Sequence, residues 1–107
     1  MAEKPRIKVP ASVKKGEVFQ VRTLIKHPME SGNRKDESGA ALPRKILNKF
    51  VCRANGKEVF ASDFFTSVSA DPFLTFHLKL EETSKLQFEW TDDDGSVISE
   101  TVEVVVN

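Results

Sequence analysis

The stretch "NKFVCRANGKEVFAS", residues 48–62, decides the fold. Asn55-Gly56 stands between two β-prone runs, and both residues tolerate the positive φ that the two central positions of a type I′ turn require. The stretch therefore predicts a two-residue β-hairpin. Its register follows from the turn: Ala54 opposes Lys57, Arg53 opposes Glu58, Cys52 opposes Val59, Val51 opposes Phe60 and Phe50 opposes Ala61. One face then carries Phe50, Cys52, Val59 and Ala61, which suits a core. The other carries the Arg53–Glu58 charge pair beside Val51 and Phe60. Such an apolar surplus on a charged face is the mark of a contact with another protein.

Outward from the hairpin the chain repeats the same period. "RIKVP" opens with a short strand, and "GEVFQVRTLIKH" places Phe19, Val21, Thr23 and Ile25 on one face and Gln20, Arg22 and Lys26 on the other. The segment from Pro28 to Pro43, with "SGNRKDESGAALP", has neither the helical nor the strand period and reads as a long polar surface loop. "SDFFTSVSADP" reads as a loop or short helical turn. After it "FLTFHLKL" sets Leu74, Phe76, Leu78 and Leu80 against Thr75, His77 and Lys79. "KLQFEWTDDDGSVISETVEVVV" is a last hairpin with Leu86, Phe88, Trp90, Val102, Val104 and Val106 inward. About seven strands at this spacing predict an all-β, immunoglobulin-like antiparallel sandwich occupying residues 1–107 as a single domain.

Composition narrows the partners. At 107 residues the chain buries roughly two-thirds of the surface its unfolded form exposes, so it needs no metal or disulfide as a staple. Sixteen Lys plus Arg balance sixteen Asp plus Glu, and no block of one sign is long enough to track a phosphate backbone, which argues against nucleic acid. No apolar run approaches the length of a bilayer span, which argues against a membrane, and "MAEKPRIKVP" lacks the apolar centre of a signal peptide. Taken alone, these features predict a cytoplasmic chain. The single cysteine, Cys52, forms no intrachain disulfide.

The residues with chemistry to offer are few. His27 and His77 are the only histidines, and with Met29 and Cys52 they are the only soft or borderline ligands available for copper or zinc. Their spacing matches no ligand motif, and the register sends Cys52 inward and His77 outward, so separate surface histidines and a core thiol are expected. In "TDDDGS", aligning Gly95 with the glycine of a calcium loop puts Asp92 and Asp94 at ligand positions. It also puts Trp90 at the first position and Thr101 where a bidentate glutamate belongs. Asp94-Gly95 is better read as turn chemistry in a bulged loop, with Asp92 and Asp93 keeping the edge soluble. In "KHPMESG", Pro28 biases His27 to an extended conformation and Ser31-Gly32 supplies the next break, so a strand end turning a corner explains it. Cys52 has no histidine nearby in sequence, and no glycine-rich phosphate loop is present. The residues thus favour a binding or structural role over an enzyme, with no catalytic, cofactor-binding or metal site. The competing reading is a small metal-binding or redox sandwich using His27, Met29 or Cys52.

The words "KPRIKVP", "KHPMESGNRKDESGAALPRKILNKF", "NGKEVF" and "WTDDDGSV", in this order, resemble the SoxZ family, the smaller subunits of SoxYZ sulfur-carrier complexes. The resemblance covers nearly the whole chain. It implies a non-catalytic, cofactor-free partner of a SoxY-type carrier subunit, whose mobile C-terminal tail ends in a glycine-flanked cysteine that holds sulfur intermediates during thiosulfate oxidation. This chain ends in "VEVVVN", so the carrier thiol is expected on the partner. The resemblance further implies transient contacts with sulfur-oxidation enzymes and a periplasmic location reached as a folded passenger on the partner's signal. The interface expected for the heterodimer is the face with Val51, Phe60, Arg53 and Glu58, joined by the His27–Met29 loop. Self-association of the isolated chain is expected through the same apolar face.

Overall fold

The computed structural model describes residues 4–32, 35, 37–65, 68 and 70–107. Alternating apolar residues give every strand one face to bury, and the described chain is built from eight of them: β1 (Arg6–Lys8), β2 (Ser12–Val13), β3 (Val18–Leu24), β4 (Leu47–Ala54), β5 (Lys57–Asp63), β6 (Phe73–Lys79), β7 (Ser84–Asp92) and β8 (Val97–Val106). They form a three-stranded sheet in the order β1-β3-β6 and a five-stranded sheet in the order β2-β8-β7-β4-β5. The all-β sandwich expected from the periodicity is therefore what forms. The eighth strand is β2, two residues long and parallel to β8, too short to leave a periodic signal.

The inward faces are largely those that the alternation assigns. Phe19 and Val21 of β3, Phe76 and Leu78 of β6, Leu86, Phe88 and Trp90 of β7 and Val104 of β8 are buried in one core cluster. Thr23, polar but inward, donates its hydroxyl to the Leu74 carbonyl at 3.1 Å. Cys52 is fully buried there, as expected.

The β4–β5 hairpin departs from its expected register at one point. Asn55 (φ 50°) and Gly56 (φ 86°) form the type I′ turn, and Ala54 opposes Lys57 and Arg53 opposes Glu58 as predicted. Beyond Arg53 a bulge leaves Val59 unpaired, so Cys52 opposes Phe60 and Val51 opposes Ala61. One extra residue inverts the side-chain alternation. Phe60, expected outside, packs against the core and stacks on Phe76 of the other sheet, with ring centroids 4.2 Å apart and planes 5° from parallel. Val59 and Ala61, expected inside, are exposed. The bulge lets the larger side chain reach across the sandwich, where it also meets Phe50 at 6.2 Å.

Val51 stays on the outer face but is only 7% exposed, flanked by its register partners Ala61 and Glu89. Arg53 does not pair with Glu58 as expected; its guanidinium ion-pairs with Glu89 on β7 instead.

Candidate functional site

Residues 27–30, 44–48 and 92–96 meet where β3 and β7 end and β4 begins. Two of the words that carry the family resemblance, "HPMESG" and "WTDDDGSV", thereby become neighbours in space.

His27 is the centre of this cluster, and it is buried at 7% exposure rather than lying on the surface. Its backbone N–H donates to Asp71 Oδ1 at 2.9 Å, and its carbonyl accepts the Asp71 N–H at 2.7 Å. Asp71 holds a φ of 53°, a conformation that a short polar side chain with a local hydrogen bond tolerates. Ring Nδ1 accepts the Met29 N–H at 2.9 Å, which requires that nitrogen to be unprotonated. The ring proton is thus on Nε2, which donates to Asp92 Oδ2 at 2.7 Å. Neither ring nitrogen is left to receive a proton from a substrate or a lone pair to give to a metal.

Met29 is likewise buried, not part of a polar surface loop. Its thioether accepts the Leu47 N–H at 3.3 Å, and its backbone sits at φ 48°, held there by the bond to His27. Glu30 then pairs with Lys45 as an antiparallel bridge, and Lys35 with Ala41, so part of the expected loop from Pro28 to Pro43 is organised. Positions 33, 34 and 36 of that segment, and positions 66, 67 and 69 of the expected loop or helical turn at 62–72, lie outside the described residues.

The three aspartates have separate tasks, and the expectation that Asp92 and Asp93 keep an edge soluble is corrected. Residues 92–96 close the β7–β8 hairpin as a bulged loop: Gly95 N–H donates to the Asp92 carbonyl and Asp92 N–H to the Ser96 carbonyl, both at 2.9 Å, with Gly95 at φ 87°. Inside that loop Asp92, 4% exposed, accepts the His27 Nε2–H on Oδ2, with Lys45 Nζ at 3.4 Å. Asp93 clamps the start of β4. It accepts from Arg44 Nε at 2.9 Å and Nη2 at 3.2 Å, from the Ile46 N–H at 3.1 Å and from Asn48 Nδ2 at 3.0 Å. These donors, Arg44 foremost, hold its carboxyl far below the usual range. Asp94 accepts from the Ser96 N–H at 2.8 Å and the Ser96 hydroxyl at 2.6 Å, which also lowers its pKa. Sequence reasoning missed Arg44, Lys45 and Asp71 as members of this cluster. The only local signal was the density of carboxylates near the hairpin tip.

The soft ligands considered together in sequence do not assemble. Met29 abuts Leu47, and Cys52 lies five residues further along β4, a separation of roughly 16 Å at the rise of a strand. His77 is exposed on β6, as expected. Among the described residues no three His, Cys, Asp or Glu side chains group as a metal site. The Cys52 thiol has Phe60 and Phe88 as register partners, and burial pushes its pKa up to about 12.

Fold and cluster together define a class: a two-sheet β-sandwich whose histidine–aspartate pair joins three distant segments of chain. The family of the sulphur oxidation protein SoxZ matches residues 7–103, and the chain belongs to that family. Among solved structures, the superoxide reductase (neelaredoxin) from Ignicoccus hospitalis superposes with a TM-score of 0.71 at 18% identity, covering 99% of this chain and 82% of that one. The sulfur carrier protein SoxY from Chlorobium limicola f thiosulfatophilum superposes with a TM-score of 0.65 at 14% identity, covering 96% and 78%. At these identities the likeness is one of fold. No curated protein gives a significant match in sequence.

Proposed function

We propose that this chain is the non-catalytic subunit of a SoxYZ-type sulfur-carrier heterodimer. It stabilises the partner whose C-terminal cysteine holds sulfur covalently during thiosulfate oxidation, and it helps present that partner to the enzymes of the pathway. Family membership over residues 7–103 supports the pathway. The observation that carries the division of labour is the burial of Cys52: a thiol fully enclosed among aromatic side chains, with its pKa raised to about 12, is a poor nucleophile and a poor carrier. His27, with both ring nitrogens engaged, offers no base in compensation. In this reading the complex works in the periplasm, and this subunit is exported with its partner.

The surface proposed for the carrier subunit is the outer face of the β4–β5 hairpin, which retains Arg53 and Glu58 and gains the exposed Val59. Val51, Phe60, His27 and Met29 drop out: Val51 is covered by its neighbours at 7% exposure, Phe60 packs against the core, and His27 and Met29 are buried. Strand β5 is an edge of its sheet, and its outer backbone groups, which pair with no strand among the described residues, give an isolated chain a route to self-association.

Mass spectrometry of the complex purified from its host tests the function directly. A copurifying subunit with a cysteine-ended tail that bears the sulfur adducts is the expected result. An adduct on Cys52 would defeat it. Val59→Glu, read by co-purification, tests the face, and unchanged association would remove that face from consideration.

A further inference from the structure

The charge of this neutral chain is unevenly placed. Every charged residue of the three-stranded sheet is basic: Arg6 and Lys8 on β1, Arg22 on β3 and Lys79 on β6, with no Asp or Glu in any of the three strands. The register sets Arg6, Leu24 and Phe73 in one outward row and Lys8, Arg22 and Thr75 in the next. Arg6, Lys8 and Arg22 therefore have backbones within about 7 Å of their nearest neighbour in the group, from the rise and spacing of strands. Ion pairs among the described residues involve Lys4, His27, Arg44, Lys45 and Arg53, and none of these cations is on this face. Asp71, two residues before Phe73, has its carboxylate turned to the His27 N–H.

An apolar feature lies within the same patch. Phe73 is 56% exposed, with the Arg22 guanidinium 5.5 Å from its ring centroid. Between β1 and β3 runs a groove of about 250 Å³ whose walls include Arg6, Lys8, Arg22, Leu24 and Phe73. Unpaired cations around an exposed aromatic ring repel one another and leave apolar surface in water, and an occupant carrying carboxylates and one apolar side chain relieves both.

From this geometry we propose that the outer face of the three-stranded sheet docks an acidic polypeptide segment, its carboxylates on Arg6, Lys8 and Arg22 and an apolar side chain in the groove against Phe73. A nucleic acid fits less well. The cations form a compact cluster rather than a track, and Arg22 already covers a face of the one aromatic ring on which a base would stack. This surface lies on the opposite sheet from the hairpin proposed for the carrier subunit, so the two interactions are separable.

The test is a titration of the isotope-labelled full chain, followed by backbone amide resonances. The probes are the peptide acetyl-Glu-Asp-Phe-Glu-Asp-amide, its Gln/Asn counterpart, an oligodeoxythymidylate of equal charge and sodium sulfate. The acidic peptide alone should shift β1, β3 and β6, more weakly as salt rises. The double substitution Lys8→Glu with Arg22→Glu should weaken binding about tenfold, from two reversed exposed charges. Phe73→Ser should weaken it while leaving the salt dependence in place. Unchanged resonances from the five-stranded sheet show that the variants are folded. Equal binding of sulfate or the oligonucleotide, shifts confined to the five-stranded sheet, or full affinity in Phe73→Ser would each overturn the proposal. None of these outcomes depends on whether a carrier subunit copurifies.

Discussion

Substituting Phe60 and Val59 separately tests the bulge, because the two registers make opposite predictions. In the structure Phe60 stacks on Phe76 at 4.2 Å and touches Phe50, while Val59 is 38% exposed and has no cross-strand partner. Full burial of a phenylalanine makes truncation to alanine cost about 3–5 kcal/mol, and an aromatic pair adds about 0.5–1.5 kcal/mol beyond area. Phe60 is only partly buried, so about 2–3 kcal/mol is expected for Phe60→Ala. Val59→Ala should stay within about 0.5 kcal/mol, as surface substitutions do. In a domain of this size the first corresponds to a fall in Tm of about 10–15 °C and the second to no more than about 3 °C. Urea unfolding monitored by Trp90 fluorescence measures both, with an unchanged slope confirming that the loss is in the native state. Equal losses at the two positions, or a larger one at Val59, would refute the bulged register and return Phe60 to the surface.

Three further outcomes follow from the buried groups. Removing His27 with His27→Ala leaves Asp92 buried with only Lys45 and the Asp94 N–H, and leaves the Met29 N–H without its acceptor. A loss of about 2–4 kcal/mol in chemical denaturation is expected, and a near-neutral result would contradict the corner described above. Native Cys52 should resist thiol reagents at a pH of about 8, where a thiol of pKa about 12 is ionised in about one molecule in ten thousand, and should label at once in denaturant. Prompt native labelling would place Cys52 outside the core. Asp93 and Asp94 have folded pKa values below their unfolded ones, so the stability they lend is fully present above pH about 4 and is lost as pH falls through the folded values. Asp93→Asn should lower stability near neutrality and flatten the acid limb of the stability profile; an unchanged limb would assign the acid sensitivity elsewhere.

Features legible in the sequence rest on short-range interactions, and those hidden in it rest on long-range ones. The Asn55-Gly56 turn was legible because positive φ at two consecutive positions is a steric matter within two residues. The bulge three residues later was not. Both Val59 and Phe60 are β-prone, and the choice between them lies with Phe76 on the other sheet, where the larger ring gains a stacking partner. One clue was available: the expected register sent out Phe60, the largest apolar side chain of β5, and kept the smaller Val59 in.

The candidate site shows the same division. "KHPMESG" announced a corner, and it is one; what local sequence concealed is that the corner is buried and closed by Asp92, 65 residues away. A histidine before a proline reads as a solvent-facing strand end because the adjacent Met29 N–H engages only Nδ1, and the acceptor for Nε2–H lies far along the chain. The "TDDDG" run reads as a soluble edge for the corresponding reason, since its donors come from Arg44, Lys45, Ile46 and Asn48.

By itself, then, the sequence determined seven of the eight strands, the two hairpin turns and most of the inward faces, because alternation and turn sterics act over a few residues. It also carried the family, in words spread over nearly the whole chain. Only the tertiary structure decided which polar residues are interior, where the β4–β5 register slips and that the cations of one sheet face form no ion pair among the described residues. Burying a polar group requires a partner with matched geometry, and here those partners come from segments tens of residues apart, whose meeting is a property of the folded sheets and of no single stretch.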